Sequence, residues 1–125
     1  MKPGLPVRRR VSEYDGESTL AVAPTQQDLP SRQAARVLDE WIEFFQEGPH
    51  RFDELEFRSR TPARLVDALA KQTQLRRLEL KWGDYSDLGA LAGMSELREL
   101  ALGGGVRIVT LEPLAGLSSL RRLVI

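Results

Sequence analysis

The chain of 125 residues contains no cysteine and only one histidine, His50. The lack of cysteine excludes a disulfide framework, a thiolate zinc site and a cysteine nucleophile. A single histidine leaves metal binding and histidine-based acid–base catalysis with almost no side chains to use. We therefore expect no metal, no cofactor and no enzymatic activity. A chain without cysteine also fits a reducing compartment, and we predict a cytoplasmic protein.

An excess of charge of one sign and long apolar runs are also missing. The 18 basic residues balance 18 acidic residues, so no bulk field attracts nucleic acid or anionic lipid. No run approaches the roughly 18 consecutive apolar residues of a membrane span, and no apolar segment follows the N-terminal basic residues as in a signal peptide. We expect neither nucleic acid nor a membrane as partner. Arginine far outnumbers lysine, which is typical of GC-rich genomes and favours a bacterial source.

What the chain does contain is a repeat, which begins at Phe52. Four segments read apolar-x-x-apolar-x-apolar, and their starts lie 23, 22 and 23 residues apart. These segments span residues 52–57, 75–80, 97–102 and 120–125. A period of about 20 to 29 residues with this pattern predicts a solenoid in which each repeat supplies one short strand.

The segments between the predicted strands indicate short turns of helix. In the second and third repeats, apolar residues recur every three positions, which favours 3₁₀ turns over a long α-helix. They are Tyr85, Leu88, Leu91, Met94 and Leu97, then Ile108, Leu111, Leu114, Leu117 and Leu120. In the first repeat, Thr61-Pro62 predicts a helix start, with the hydroxyl as cap and the proline at the first helical position. Leu65 and Leu69 then face inward.

Residues 1–30 precede the repeats and contain four prolines in addition to mixed charges. They predict an extended lead-in. Asp15-Gly16 favours a tight hairpin turn, so we expect a short hairpin or an edge strand near residues 20–22.

Residues 31–51 are expected to form an N-terminal capping helix. Apolar residues recur at helical spacing over residues 31–47, with Ser31 as N-cap and Gly48-Pro49 ending the helix. The broad apolar face is either a groove for a partner helix or a cap over the first repeat. We favour the cap, because a solenoid must cover the apolar end of its stack.

Residues 87–102 and 111–125 carry a family resemblance, in the segments DLGALAGMSELRELAL and LEPLAGLSSLRRLVI. The chain resembles leucine-rich repeat proteins of the short 22-residue class, which includes bacterial internalins and a eukaryotic phosphatase-regulatory subunit. The resemblance implies an α/β solenoid with short parallel strands, a convex side of 3₁₀ and α-helical turns, and a helical N-terminal cap. Residues 52–125 would then hold about three repeats and a partial fourth. It also implies a module that binds another protein without catalysis.

The chain departs from that family after each strand. The family usually has an asparagine three residues beyond the strand's last apolar residue, where its amide links successive loops. Here those positions hold Arg60, Gly83 and Gly105, so backbone groups, Asp84 or water must satisfy the loops instead. The glycines at 103–105 are not followed by Gly-Lys-Ser/Thr, and we predict a turn there instead of a phosphate loop.

The side chains that alternate outward from the strands form the predicted binding surface. One outward set alternates in charge, and a second set beside it changes from acidic to apolar. The first set is Glu54, Arg77, Glu99 and Arg122, and the second is Glu56, Glu79, Ala101 and Val124. One interpretation is that opposite charges on neighbouring strands only neutralise each other, each exposed pair contributing at most about 1 kcal/mol. The other is a protein-binding surface.

Trp82 and Lys81 follow the second strand and complete this predicted surface. An exposed tryptophan beside charges is typical of an interface hot spot, whereas a tryptophan folded over Tyr85 would only cover the core. The predicted partner-binding residues are Glu54, Arg77, Glu79, Lys81, Trp82, Glu99 and Arg122.

Two further groups suggest other chemistry. A column of Arg76, Arg98 and Arg121 could grip phosphates, but the acidic neighbours and the lack of interleaved stacking aromatics disfavour nucleic acid. Asp84 and Asp87 could hold calcium weakly, but the six or more oxygens of a calcium site are not evident. A turn-forming loop is the simpler interpretation.

The last predicted strand leaves apolar side chains and unpaired backbone groups at one edge, at Leu123, Val124 and Ile125. A longer solenoid, an edge-to-edge homodimer, a partner that completes the coil or a folded-back N-terminus would each cover them. The alternative function is therefore a self-associating structural subunit that dimerises through this edge while its concave face stays inert.

Overall fold

The computed structural model describes residues 5–104 and 107–125. They form an α/β fold with a single six-stranded sheet, in which each strand pairs in parallel with the next strand along the chain. The strands are β1 (Val7–Arg8), β2 (Thr19–Val22), β3 (Glu54–Phe57), β4 (Arg77–Glu79), β5 (Glu99–Ala101) and β6 (Arg122–Val124). The helices are α1 (Ser31–Gln46) and α2 (Ala63–Asp67), with 3₁₀ helices at Val11–Glu13, Ala68–Lys71, Gly89–Leu91 and Glu112–Leu114.

The register of strands β3 to β6 follows the sequence repeat, as predicted. Glu54 lies opposite Arg77, which lies opposite Glu99 and then Arg122 on the next strands. The inward residue of each strand is a leucine at the same level, and in β3, β4 and β5 this leucine is at most 1% exposed. Identical spacing therefore places equivalent side chains side by side across the sheet.

The core lies between the sheet and the layer of helices and turns. The apolar residues spaced by three are buried around the 3₁₀ helix Gly89–Leu91, where Leu88, Leu91, Met94 and Leu97 are at most 1% exposed. The 3₁₀ helix Glu112–Leu114 lies at the equivalent place in the next repeat. Both 3₁₀ predictions are confirmed. A spacing of three predicts such helices because side chains at i and i+3 of a 3₁₀ helix share one face.

Helix α1 contributes its apolar face to this core. Trp41 stacks on Phe45 with ring centroids 5.8 Å apart, and Phe45 meets Phe57 of β3 edge to face at 5.9 Å. The helix packs against α2 and the 3₁₀ helix Ala68–Lys71. The aromatic face is thus occupied within the chain and does not form an open groove.

Three local predictions are wrong. Asp15-Gly16 does not close a hairpin, because β1 and β2 run parallel, although Gly16 does take a positive φ of 78°. The alternative, a strand near residues 20–22, is found as β2, but β2 lies between β1 and β3 and is not an edge strand. Ser31 is the first helical residue of α1 and no side chain caps that helix. Pro62 precedes α2, and no side-chain hydrogen bond from Thr61 caps it; the Thr61 hydroxyl donates instead to the carbonyl of Ser59 at 3.2 Å.

The first amide of α2 has a different partner, because Ala63 N–H donates to Oδ1 of Asp84 at 2.8 Å. Asp84, one of the groups expected to satisfy the loops, therefore bonds the start of α2. No helix in the described part of the chain is long and apolar enough to cross a membrane.

Candidate functional site

The outward residues of β3 to β6 form one surface, which we call the ladder face. Its members are Glu54, Glu56, Arg77, Glu79, Glu99, Ala101, Arg122 and Val124, paired as the sequence predicted. A cavity of about 250 Å³ opens on this face over β4, β5 and β6. Its lining residues are Arg77, Leu78, Glu79, Glu99, Leu100, Ala101, Arg122 and Val124.

Arg77 holds the centre of the ladder face together. Its Nη1 donates to Oε1 of Glu56 at 2.6 Å, its Nε lies 3.4 Å from Oε2 of Glu99, and its Nη2 lies 3.8 Å from Oε2 of Glu79. The charge of Glu54 acts on it as well. Burial of the guanidinium opposes its charge, but the bond to Glu56 and the charges of the surrounding carboxylates together outweigh burial and raise the pKa of Arg77. Arg77 is therefore bound to its own neighbours.

Glu56 is the most buried charge on this face, with 8% of its surface exposed. Arg58 Nη2 donates to its other oxygen, Oε2, at 2.7 Å, so both carboxylate oxygens have a guanidinium partner. Burial would raise the pKa of Glu56, but the bonds from Arg58 and Arg77 prevail and lower it. The sequence interpretation of mutual neutralisation therefore holds for this half of the ladder face.

The half at β5 and β6 has a different character. Arg122 lies in register with Glu99, but within residues 5–104 and 107–125 no salt bridge joins it to a carboxylate. Beside it, Ala101 is half-buried and Val124 is 45% exposed. The cavity therefore presents the guanidinium of Arg122, which has no ion-pair partner among the described residues, next to the apolar side chains of Ala101 and Val124.

Trp82 and Lys81 lie beyond the end of β4 and are not among the residues that line the cavity. Trp82 is 49% exposed. The Tyr85 ring is buried and its hydroxyl donates to the carbonyl of Lys81 at 2.7 Å. Among the described residues, no ring contact joins Trp82 to Tyr85, so the indole does not stack on that ring.

Sequence reasoning missed the extension of the ladder face onto β2. Thr19 lies opposite Glu54 and Ala21 lies opposite Glu56, and both are buried. The β-branched and apolar run of Thr19–Val22 was the available signal. This region contributes small buried groups and no charge.

A second surface, the open edge, lies along β6 and the turn before it. The three predicted edge residues are exposed, at 37% for Leu123, 45% for Val124 and 65% for Ile125. Val109 and Leu111 are also exposed, and a cavity of about 410 Å³ lies between them and Ile125. Leu111 is 43% exposed, whereas Leu88, its equivalent one repeat earlier, is 1% exposed.

The backbone of the open edge has a defined hydrogen-bonding direction. Leu102 N–H donates to the carbonyl of Val124 at 2.8 Å, so Val124 turns its backbone groups toward β5. Because successive residues of a strand turn these groups to opposite sides, the N–H and C=O of Leu123 face away from the sheet.

The carboxylates of Asp84 and Asp87, which follow β4, accept hydrogen bonds from backbone N–H groups. Oδ1 of Asp87 accepts from Gly89 N–H at 2.7 Å, and Asp84 accepts from Ala63 as described above. In the chain from 5 to 104 and 107 to 125, no group of three or more histidine, aspartate or glutamate side chains could hold a metal ion.

Two glycines, Gly83 and Gly103, allow close backbone contact between neighbouring loops. A Cβ on Gly83 would overlap the carbonyl of Thr61, and a Cβ on Gly103 would overlap the backbone of Lys81 and Trp82. The N–H of Thr61 donates to the carbonyl of Trp82 at 2.9 Å, so direct backbone bonding links these loops. The prediction at Gly105 falls outside the described residues.

Comparison of the chain with protein-family models and with curated proteins finds no match.

Proposed function

We propose that this chain is a leucine-rich repeat solenoid that binds another protein on the ladder face, which would be its concave side, without catalysing a reaction. Support for the solenoid comes from parallel strands in chain order, of which β3 to β6 start 22 or 23 residues apart with equivalent leucines stacked beneath them. A ladder of this kind displays one regular surface, which suits binding a macromolecule.

The observation that carries the binding proposal is the cavity over β4 to β6. One of its walls is fixed by Arg77 and its carboxylates, and another presents Arg122, Ala101 and Val124. Because the charged side chains of the first wall are already held in place, a partner that binds there loses less side-chain entropy. The apolar side chains of the second wall add area that binding can bury. Trp82, which is exposed beyond the end of β4, provides a candidate hot spot.

Arg77 is a poor position for testing this proposal, because its removal would leave Glu56, Glu79 and Glu99 without their shared partner. Ala101→Lys is better, since it fills the cavity from a half-buried position. Ala92→Lys makes the same substitution at an exposed site in the turn after Gly89–Leu91.

The tagged wild type and both variants are used to capture proteins from a lysate of the source organism, and quantitative mass spectrometry follows. We expect a protein that the wild type and Ala92→Lys retain equally and that Ala101→Lys loses. Equal retention by all three would refute binding on the ladder face.

The second candidate function is self-association through the open edge. The outward N–H and C=O of Leu123 favour an antiparallel pairing with the same strand of a second copy, in which Arg122 would lie opposite Val124 and not opposite another arginine. Exposed Val109, Leu111 and Ile125 add apolar area.

Light scattering after size exclusion tests this candidate. Leu123→Pro removes the outward N–H but no bond to β5, as proline is tolerated on edge strands. Ala101→Lys serves as the control. A dimer lost only in Leu123→Pro would support the edge, whereas a monomeric wild type over the micromolar range would refute it.

A further inference from the structure

Three arginines stand in a row at the start of successive strands, one residue before the ladder face. Arg98 N–H donates to the carbonyl of Arg76 at 2.7 Å, and Arg121 N–H donates to the carbonyl of Arg98 at 2.8 Å. Backbone bonds therefore fix the register of this arginine row, whatever the side chains do. All three residues are exposed.

The arginine row has no ion-pair partner within 4 Å among the described residues. Arg77, one residue further along, has three carboxylates within 4 Å. By contrast, among the described residues no salt bridge involves the guanidinium of Arg76, Arg98 or Arg121. Neighbouring strands lie roughly 4.8 Å apart, so like charges stand close together and an anionic partner would relieve their repulsion.

The surroundings of the row favour a protein partner over a polyphosphate. A cleft of about 330 Å³ is lined by Arg76, Arg77 and Arg98 together with the acidic residues Asp53, Glu54 and Glu99. These carboxylates would repel a continuous phosphate backbone, whereas separate carboxylates on a protein could contact the arginines and avoid the acidic side.

Spacing further restricts the kind of partner. On an α-helix, residues three or four apart have Cβ atoms roughly 5–6 Å apart, close to the strand spacing of the row. On an extended strand, residues on one face are about 6.6 Å apart, which matches the row less well. We infer that the bound protein presents the acidic face of an α-helix across the arginine row. This inference rests on the proposed function and names the chemistry of the partner.

The test uses two alanine-based helical peptides of equal composition as probes. One carries glutamate at positions i, i+4 and i+8, and the other spreads three glutamates around the helix. Fluorescence anisotropy measures their binding to the wild type, to Arg98→Glu and to Arg32→Glu. The last variant makes the same charge change at an exposed position of α1. Circular dichroism verifies that each variant is folded.

We expect the one-faced peptide to bind more tightly than its isomer, with about tenfold weaker binding to Arg98→Glu and unchanged binding to Arg32→Glu. Equal binding of the two peptides, or equal losses in the two variants, would overturn the inference. Tighter binding of a ten-nucleotide oligothymidine would overturn it as well, because the row would then recognise phosphates.

The result is separable from that of the proposed function. If Ala101→Lys abolishes partner capture but the one-faced peptide does not bind, the inference fails and the proposed function stands. If Ala101→Lys has no effect on capture, the proposed function itself fails.

Discussion

The guanidinium of Arg77 donates from β4 to the carboxylate of Glu56 on β3, at 2.6 Å. The two residues lie diagonally across neighbouring strands, since Arg77 itself is in register with Glu54. Arg58 occupies the other oxygen of Glu56. The centre of the ladder face is therefore a structural charge cluster, and the proposed binding site lies beside it, toward β6.

We predict that Glu56→Gln destabilises the fold by roughly 1–3 kcal/mol at pH 7, since hydrogen bonds to charged groups contribute about that much. Urea denaturation measures the change. Glu40→Gln is the matched control, because Glu40 pairs with Arg10 in an exposed position and such pairs contribute at most about 1 kcal/mol. Equal losses in the two variants would contradict the buried role of Glu56.

The ion pairs of Glu56 also predict that the free energy of unfolding depends on pH. The pKa of Glu56 is lower in the folded chain than its ordinary value, so the unfolded chain binds this proton more readily. The stabilisation is therefore present above the unfolded pKa and is lost as pH falls through the folded pKa. We expect the difference in free energy of unfolding between the wild type and Glu56→Gln to be largest at pH 7 and to shrink steadily in the acid range. A gap independent of pH would contradict this.

A third prediction concerns Gly83. Gly83→Ala should destabilise the chain, because its Cβ would overlap the Thr61 carbonyl, with a cost of about 1–3 kcal/mol. Gly93→Ala meets no atom within 4 Å and should be neutral or slightly stabilising. Thermal unfolding of both variants checks the contrast, and similar melting temperatures would be inconsistent with the close loop contact.

A fourth prediction concerns Gln72, which is fully buried. Its Nε2 donates to the carbonyls of Phe45 at 2.7 Å and Gly48 at 2.6 Å, and its Oε1 accepts from His50 N–H at 3.3 Å. Gln72→Leu should cost about 1–3 kcal/mol for each buried group left unsatisfied. Gln46→Leu, at an exposed position of α1, is the control. Denaturation midpoints that shift equally would rule out this anchoring role for Gln72.

The sequence predicted the fold best where it repeats. Leu78 and Leu100 sit at the same level of two strands, and a fixed period dictates this once one strand is placed. The alternation of side chains then follows from strand geometry, so the pairing of Arg77 with Glu99 could be predicted as well. Helix α1 was predictable for a related reason, since its apolar residues recur at helical spacing.

The features that the sequence did not predict involve contacts between residues far apart in the chain. Thr19 joins the ladder face through β2, but no repeat unit announces that strand. The first amide of α2 is bonded by Asp84, 21 residues later, and not by the adjacent Thr61. Local sequence can suggest a cap, but a distant side chain of better geometry can replace it. The two oxygens of Glu56 were likewise unpredictable, because their partners depend on side-chain conformation.

The most direct test of the account is photo-cross-linking from two residues of the predicted partner-binding surface. Benzoylphenylalanine replaces Trp82 in one variant and Arg122 in a second, and it replaces Arg32 on α1 in the control. We predict that the first two variants cross-link the same protein, distinct from the chain itself, and that the control does not. Cross-links from the control alone, or only between copies of this chain, would contradict protein binding on the ladder face.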